Sequence, residues 1–280
     1  MNFKASSKYI VKELNTIYAS REAQNIANLI LEEITKLNST ERLVAIDQTL
    51  TAHQIHILEN YLHQLKQHKP LQQILGYSWF CGSKFFVNEH VLIPRPETEE
   101  LVELIVNENK NAALNILDIG TGSGCIAISL KRKISQSSIT AIDVSFFALQ
   151  VAHKNAEHLH SSITLKQLDF LNEDNWGELE TYDIIVSNPP YIKELEQSTM
   201  QQNVLAYEPH LALFVPDNNA LIFYERIAVF AKHHLTKNGK IYVEINENLG
   251  KETATVFSSN GYQTTIIKDM QEKNRIIKAW

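Results

Sequence analysis

Cysteine is nearly missing from this 280-residue chain, which holds only Cys81 and Cys125. So few thiols exclude a disulfide framework and fit a reducing compartment. Cys125 falls at a helix start, where a thiol can be activated, yet cysteine more often serves as a small buried hydrophobe, and packing is the role expected of it. Long apolar runs are missing too. No stretch approaches the roughly 18 apolar residues of a membrane span, and the opening Met1 to Lys8 lacks the apolar core of a signal peptide. A cytoplasmic protein that engages no membrane is expected. Positive charge is not in excess: 26 Lys and Arg against 32 Asp and Glu give a formal net charge of -6, which supplies no global field for a phosphate backbone. No direct nucleic acid partner is expected. The short basic run Lys131-Arg132-Lys133 reads as the solvated end of a helix. His53 with His56, and His153 with His158 and His160, lack cysteine or carboxylate companions at zinc spacing, so metal independence is expected.

What is present is enough for one large core and a smaller domain, since 44% of residues are hydrophobic and 21% charged. The first third repeats apolar residues at helical spacing: Ile10, Leu14, Ile17 and Tyr18; Ile26, Ile30, Ile34 and Leu37; then Ile55, Leu58, Tyr61, Leu62 and Leu65. Three to five amphipathic helices are predicted, with Ser39-Thr40 and the Asp47 to Thr51 stretch supplying helix starts or turns and Pro70 closing the bundle. Tyr77 to Cys81 and Lys84 to Val87, parted by Gly82-Ser83, predict a β-hairpin.

Two motifs carry the chemistry. The first is Asn188-Pro189-Pro190-Tyr191 after the apolar run Asp183 to Ser187. The run reads as a buried strand that the prolines must stop, which holds a side-chain amide and a phenol at its carboxyl end, where open α/β sheets bind ligands. The Asn188 oxygen and the Pro189 carbonyl can converge on one NH2 group, and Tyr191 offers a flat face to a planar target. A primary amide or an exocyclic aromatic amine meets both demands. Taken alone, the quartet reads about as well as a strand-ending turn.

The second motif shifts that balance. Leu114 to Ile119 predicts a buried strand, Gly120-Thr121-Gly122-Ser123-Gly124 a tight turn, and Cys125 to Leu130 a helix whose first N–H groups can receive a polar ligand end. The spacing lacks the last glycine of the dinucleotide pattern, which disfavours a nicotinamide cofactor. Ile139 to Asp143 ends a second strand in a carboxylate placed to accept ribose hydroxyls, so an adenosyl ligand without a pyrophosphate fits better.

Asp118 to Leu130, Asp143 and Ser187 to Ile192 resemble class I S-adenosylmethionine-dependent methyltransferases that act on amino groups. Pro70 to Gly76, Leu92 to Glu99, and Tyr207-Glu208-Pro209 with Ala212-Leu213 narrow the resemblance to the peptide chain release factor N5-glutamine methyltransferases, the HemK/PrmC family. The likeness runs from about Pro70 to the C-terminus. It implies an α/β class I methyltransferase fold, a Rossmann-like seven-stranded mixed sheet with helices on both faces and an antiparallel final hairpin. Residues 1-75 would form a helical substrate-docking domain, 76-95 a linking β-hairpin, and 96-280 the methyltransferase domain. Lys240 to Ile245, Gln263 to Ile267 and Arg275 to Ala279 read as its later strands.

The resemblance further implies methyl transfer from S-adenosyl-L-methionine, leaving S-adenosyl-L-homocysteine, to the glutamine of the Gly-Gly-Gln motif in class 1 release factors. Gly120, Thr121, Gly122, Ser123 and Gly124 would wrap the methionine end of the cofactor and Asp143 would hold the ribose. Phe170 matches a position beside the adenine that is tryptophan in some members, an exchange that keeps the aromatic face and removes an indole N–H. Asn188, which would also border the cofactor, and the Pro189 carbonyl would hold the glutamine NH2, with Pro190 and Tyr191 lining the slot. Arg95, Glu97 and Thr98 would support the cofactor and the substrate entrance. The Lys193 to Asn218 stretch is long for a connection and is expected to shape a channel for one glutamine. Asp269 to Arg275 lacks the glycine that many relatives carry before the arginine, so a local turn difference without loss of activity is expected. A monomer is expected. Two other classes stay open at this point: methylation of another protein's glutamine or of an adenine amino group, and a cofactor-binding scaffold without catalysis.

Overall fold

Helix caps written into the sequence mark off the first elements. The computed structural model describes residues 1–110 and 112–280. Asn2 accepts from the Ala5 amide at 2.9 Å and starts α1 (Phe3–Leu14), which buries Phe3, Ile10 and Leu14. The next helix, α2 (Ser20–Thr35), buries Ala23, Ile26, Ala27, Ile30, Leu31 and Ile34 on one face. The cap of α3 (Ser39–Val44) lies one residue before the expected Ser39-Thr40, because Asn38 and Glu41 form a reciprocal capping box. Thr51 and Gln54 form a second one for α4 (Ala52–Lys66), and α5 (Leu71–Leu75) follows Pro70 and ends at Gly76 with φ 77°. Ile17 and Tyr18 fall beyond α1, in the turn that follows it.

Contacts divide the chain into two units, Met1–Gly76 with Gln201–Tyr207, and Tyr77–Met200 with Glu208–Trp280. The helical unit therefore recruits α9 (Gln202–Tyr207) from the stretch read above as a long loop. Inside that unit Gln73 Nε2 donates to the Tyr207 carbonyl at 2.8 Å, and the Tyr207 hydroxyl donates to the Gln67 carbonyl at 2.8 Å.

The second unit opens with the hairpin of β1 (Tyr77–Phe80) and β2 (Ser83–Phe86), whose two-residue turn puts Cys81 and Gly82 at φ 47° and 71°. Phe80 and Phe85 are fully buried in this unit's core. There follow α6 (Pro96–Glu108), β3 (Asn115–Ile119), α7 (Cys125–Lys133), β4 (Ser138–Asp143), α8 (Phe146–His158), β5 (Thr164–Gln167) and β6 (Tyr182–Ser187). Two short strands, β7 (Ile192–Lys193) and β8 (Phe214–Val215), pair in parallel on their own, with α9 between them in sequence. The chain ends with α10 (Ile222–His234), β9 (Leu235–Glu244), α11 (Gly250–Ser259), β10 (Thr264–Lys268) and β11 (Asn274–Ala279).

The main sheet has seven strands in the order β10-β11-β9-β6-β3-β4-β5, parallel except for β11, which runs against both neighbours. This is the mixed sheet expected. Residues of α6, α7 and α8 pack one face and residues of α10 and α11 the other. The inner parallel strands β3, β4 and β6 alternate with helices and are largely buried on both faces, so they read as near-continuous apolar runs. Strand order reverses at β3, which lies between β4 and β6, so a crevice opens beyond the carboxyl ends of these strands. Strand β9 begins at Leu235, earlier than expected, because Leu235 already pairs with Tyr182 of β6.

Candidate active site

At the end of β3 the amides of Gly120 and Thr121 both donate to the Ile142 carbonyl at 2.9 Å, which ties the turn to β4. Gly120, Gly122 and Gly124 take φ values of 71°, 53° and 79°, in the left-handed region that side chains disfavour. At Gly120 and Gly122 an added Cβ would meet nothing within 4 Å, so the turn faces open space. Gly124 serves packing instead. A Cβ there would come within 2.9 Å of Ile128 Cδ1 and 3.2 Å of Ala152 Cβ, so its bare backbone lets α7 and α8 approach.

Asp143, at the end of β4, accepts from the Gly122 amide and the Ser145 amide at 2.9 Å each, one on each carboxylate oxygen. A carboxylate has about four acceptor positions, so both oxygens keep capacity for a ligand's hydroxyls. Burial raises its pKa, opposed by the Ser145, Gly122 and Val144 amides. Asp118 on β3 is fully buried and accepts from the Thr121 hydroxyl at 2.7 Å. Burial pushes its carboxyl up to about 7, against the Thr121 hydroxyl and the Ala127 amide, while Asp143 adds to the rise.

A cavity of about 300 Å³ lies against this turn. It is bordered by Arg95, Thr98, Gly120, Thr121, Gly122, Ser123, Asp143, Phe170, Asn188 and Pro190 among the site residues expected from sequence, while Glu97, Gly124, Pro189 and Tyr191 are not on its wall. Phe170 is buried, packs its ring 5.7 Å from that of Trp176, and accepts the Trp176 indole N–H on its carbonyl at 2.9 Å. The open space beside two left-handed glycines, the carboxylate at the end of β4 and the apolar wall at Phe170 together fit an adenosyl cofactor. Among the described residues no group of three or more His, Cys, Asp or Glu gathers at metal-binding distance. Burial pushes the thiols of Cys81 and Cys125 up to about 11 and about 12, which leaves them protonated and poorly nucleophilic near neutrality.

Asn188 follows directly on β6, whose Ser187 hydroxyl donates to the Ile119 carbonyl at 2.7 Å and so aligns the ends of β6 and β3. Register pairs Ser187 with Val243 on the parallel neighbour β9, which brings Asn188 next to Glu244. Asn188 Nδ2 donates to Thr98 Oγ1 at 3.2 Å, and Thr98 donates to Glu244 Oε2 at 2.6 Å. Tyr191 turns its hydroxyl to Glu244 Oε1 at 3.4 Å, and its phenol is pushed well above its ordinary value, by burial first and then by Glu244. Arg95 and Glu208 form an ion pair, and the second Glu208 oxygen accepts from the Ile93 amide at 3.0 Å, which binds the 208–212 segment to the cavity rim at Pro94 and Arg95.

Two residues at the site carry roles not read from sequence. Asn155 of α8 is fully buried and donates to the Ser123 carbonyl at 2.9 Å while exchanging two bonds with the Phe86 main chain. It clamps the glycine turn to the hairpin. Glu244 is a carboxylate inside the apolar run Ile241-Tyr242-Val243-Glu244-Ile245 at the end of β9, and a lone charge in such a run was the available signal.

Two families match the chain: PrmC N-terminal domain at residues 8–76 and Methyltransferase small domain at residues 97–211. A protein of Flavobacterium psychrophilum named release factor glutamine methyltransferase is 45% identical over 274 residues, covering 96% of this chain and 95% of its own. One of the same name from Bacteroides thetaiotaomicron is 43% identical, covering 97% of each chain. Among solved structures, a methyltransferase from Pyrococcus furiosus shares the fold with a TM-score of 0.54 at 18% identity, over 79% of this chain and 98% of that one. With such identity over nearly its full length, the chain belongs to the release factor glutamine methyltransferase family.

Proposed function

We propose that this protein transfers a methyl group from S-adenosyl-L-methionine to the side-chain amide nitrogen of the glutamine in the Gly-Gly-Gln motif of class 1 peptide chain release factors. The observation that carries the reading is the placement of Asn188 on the wall of the glycine-turn cavity with its own NH2 engaged by Thr98. Names of relatives at 45% and 43% identity support the substrate.

S-adenosylmethionine, when bound, supplies an electrophilic methyl group on a sulfonium. The chain's residues do the rest. Gly120 to Ser123 bind the methionine end, Asp143 accepts the ribose hydroxyls, and Phe170 packs beside the adenine. Asn188 Oδ1 and the Pro189 carbonyl accept the two N–H bonds of the substrate amide. An amide nitrogen is a poor nucleophile because its lone pair is delocalised; fixing both hydrogens on acceptors favours pyramidalisation and aims the lone pair, and once the nitrogen carries the methyl one of its two N–H protons is lost to solvent. Tyr191 lines the slot with its ring, its hydroxyl spent on Glu244. The Arg95–Glu208 pair holds the cavity rim. Docking of the release factor is assigned to the helical unit.

The test is peptide mass spectrometry on a purified class 1 release factor incubated with the protein and S-adenosylmethionine. One added methyl on the Gly-Gly-Gln glutamine, absent when that glutamine is replaced, is the expected result. No methyl there, with cofactor binding demonstrated, overturns the reading and directs the search to other glutamine-bearing proteins and to adenine.

A further inference from the structure

An asparagine amide offers an accepting oxygen on one side and a donating NH2 on the other, and its shape alone prefers neither way round. For Asn188 the choice is made beneath it. Thr98 Oγ1 carries one proton and gives it to Glu244 Oε2 at 2.6 Å, so only lone pairs remain for Asn188. Asn188 therefore turns Nδ2 to Thr98, at 3.2 Å, and Oδ1 is the atom left for a ligand. The other oxygen of Glu244 accepts from the Tyr191 hydroxyl at 3.4 Å. One side chain, 2% exposed at the end of β9, braces both polar side chains of the Asn188 to Tyr191 quartet.

We propose that the Glu244 carboxylate is a positioning residue for methyl transfer, holding Asn188 through Thr98 with its oxygen toward the acceptor amide, and that protonation of Glu244 releases this lock. The inference rests on the reading of Asn188 as the group that receives the substrate NH2. A protonated Glu244 has an O–H to give, so Thr98 accepts from it and passes its own proton to Asn188 Oδ1. The amide then presents NH2 to an NH2, donor against donor, and the substrate is not held.

Charged and hydroxyl-bearing groups from several elements surround Glu244. Glu97 and Thr98 face it from α6, Tyr191 from the turn after β6, Tyr224 from α10 and Arg275 from β11. Burial pushes the Glu244 carboxyl up to about 7 and Glu97 adds to the rise, against Thr98, Arg275 and Tyr191. Burial likewise raises the phenols of Tyr191 and Tyr224, and the Tyr224 hydroxyl donates to the Glu244 carbonyl at 3.0 Å. Arg275, lowered by burial but raised more by Asp269, Tyr191 and Glu244, stays charged; Asp269 pairs with it at 3.1 Å, and Glu247 lies 3.9 Å away. The lock is therefore closed above about pH 7 and open below it.

The experiment measures turnover under saturating substrates across roughly two pH units either side of neutrality, together with 15N NMR of the Asn188 side-chain amide in the protein without cofactor. That signal is identified by its loss in Asn188→Ala. The expected parent profile falls about tenfold per pH unit below about pH 7, and the Asn188 amide shifts with the same midpoint. Glu244→Gln, of equal size, loses both the acid limb and the shift. Thr98→Val loses about tenfold or more in turnover at high pH with cofactor affinity unchanged, whereas Thr98→Ser keeps both turnover and acid limb. An acid limb that persists in Glu244→Gln, an Asn188 signal that does not move in the parent, or parent-like turnover in Thr98→Val overturns the lock. The underlying reading fails separately: it falls if Asn188→Ala still methylates, whereas an inactive Asn188→Ala beside parent-like Thr98→Val and Glu244→Gln removes only the lock.

Discussion

On one side of the cavity, the main chain of the glycine turn is held by the Ile142 carbonyl, by Asp143 on the Gly122 amide 21 residues away, and by Asn155 on the Ser123 carbonyl. On the other, Asn188 is held by side chains alone, from Thr98 at a separation of 90 residues, and Thr98 in turn by Glu244 at 146. Each of these bonds falls on a main-chain group of the turn, so none depends on the identity of a side chain at Gly120 to Ser123. Side-chain bonds across the sheet depend on three residue identities and on the strand order that gathers them. The cofactor side should therefore fail by losing affinity, and the acceptor side by losing rate.

The sharpest way to break that contrast is Asn188→Ala. Turnover is expected to fall about 100- to 1,000-fold, the size of losing one preorganised polar contact, while cofactor affinity stays within about threefold. Single-turnover rates and calorimetric titration would show it, and an unchanged rate would remove Asn188 from the chemistry.

Asp118→Asn probes the glycine-turn side through pH. Folding raises the Asp118 pKa from 3.8 to about 7, so its contribution to stability is full below about pH 4 and is lost as pH rises through about 7. Asparagine cannot ionise. The stability of the variant relative to the parent is expected to improve by about 2–3 kcal/mol between pH ~5 and ~8, read from denaturant unfolding. A gap independent of pH would mean that Asp118 does not titrate in that window.

Asp143→Ala removes the bonds to Gly122 and Ser145 together with the proposed ribose acceptor. Cofactor binding is expected to weaken about 10- to 100-fold, corresponding to about 1.5–3 kcal/mol for hydrogen bonds to a charged group. Equal affinity in variant and parent would contradict that role. The smallest effect belongs to the turn at Asp269 to Arg275. Glu272 takes φ 64° there, and Asp269 accepts from the amides of Gln271 and Lys273. Glu272→Gly is expected to stabilise the fold by no more than about 1 kcal/mol, since glycine adopts that conformation without steric cost and the exposed pair with Lys268 is worth little. A melting temperature lowered by several degrees would show that the side chain matters more than its backbone.

Legibility in the sequence followed how local each restraint is. Ile139 to Asp143 and Asp183 to Ser187 read as strands because both faces are buried, and the sheet shows them as β4 and β6. The edge strand β5, Thr-Leu-Lys-Gln, was not legible: it has four residues and only partial burial, so no apolar run marks it. Helix α9 lay hidden in a stretch read as loop, because its six residues are organised by partners such as Gln67 and Gln73 more than 130 positions away. Thr98 was singled out only for general support of the cofactor and substrate entrance, and Glu244 was not singled out at all, since nothing near either residue names the other.

By itself, the sequence determined the helical first third, the glycine turn, the carboxylate at Asp143 and the proline stop that leaves Asn188 at a strand end. Period, left-handed glycine and the missing proline N–H act within a few residues and need no fold to be read. Tertiary structure alone decided which way round Asn188 sits and what governs it. That depends on β9 lying beside β6, on α6 passing over their ends, and on a buried carboxylate that the Thr98 and Tyr191 hydroxyls reach.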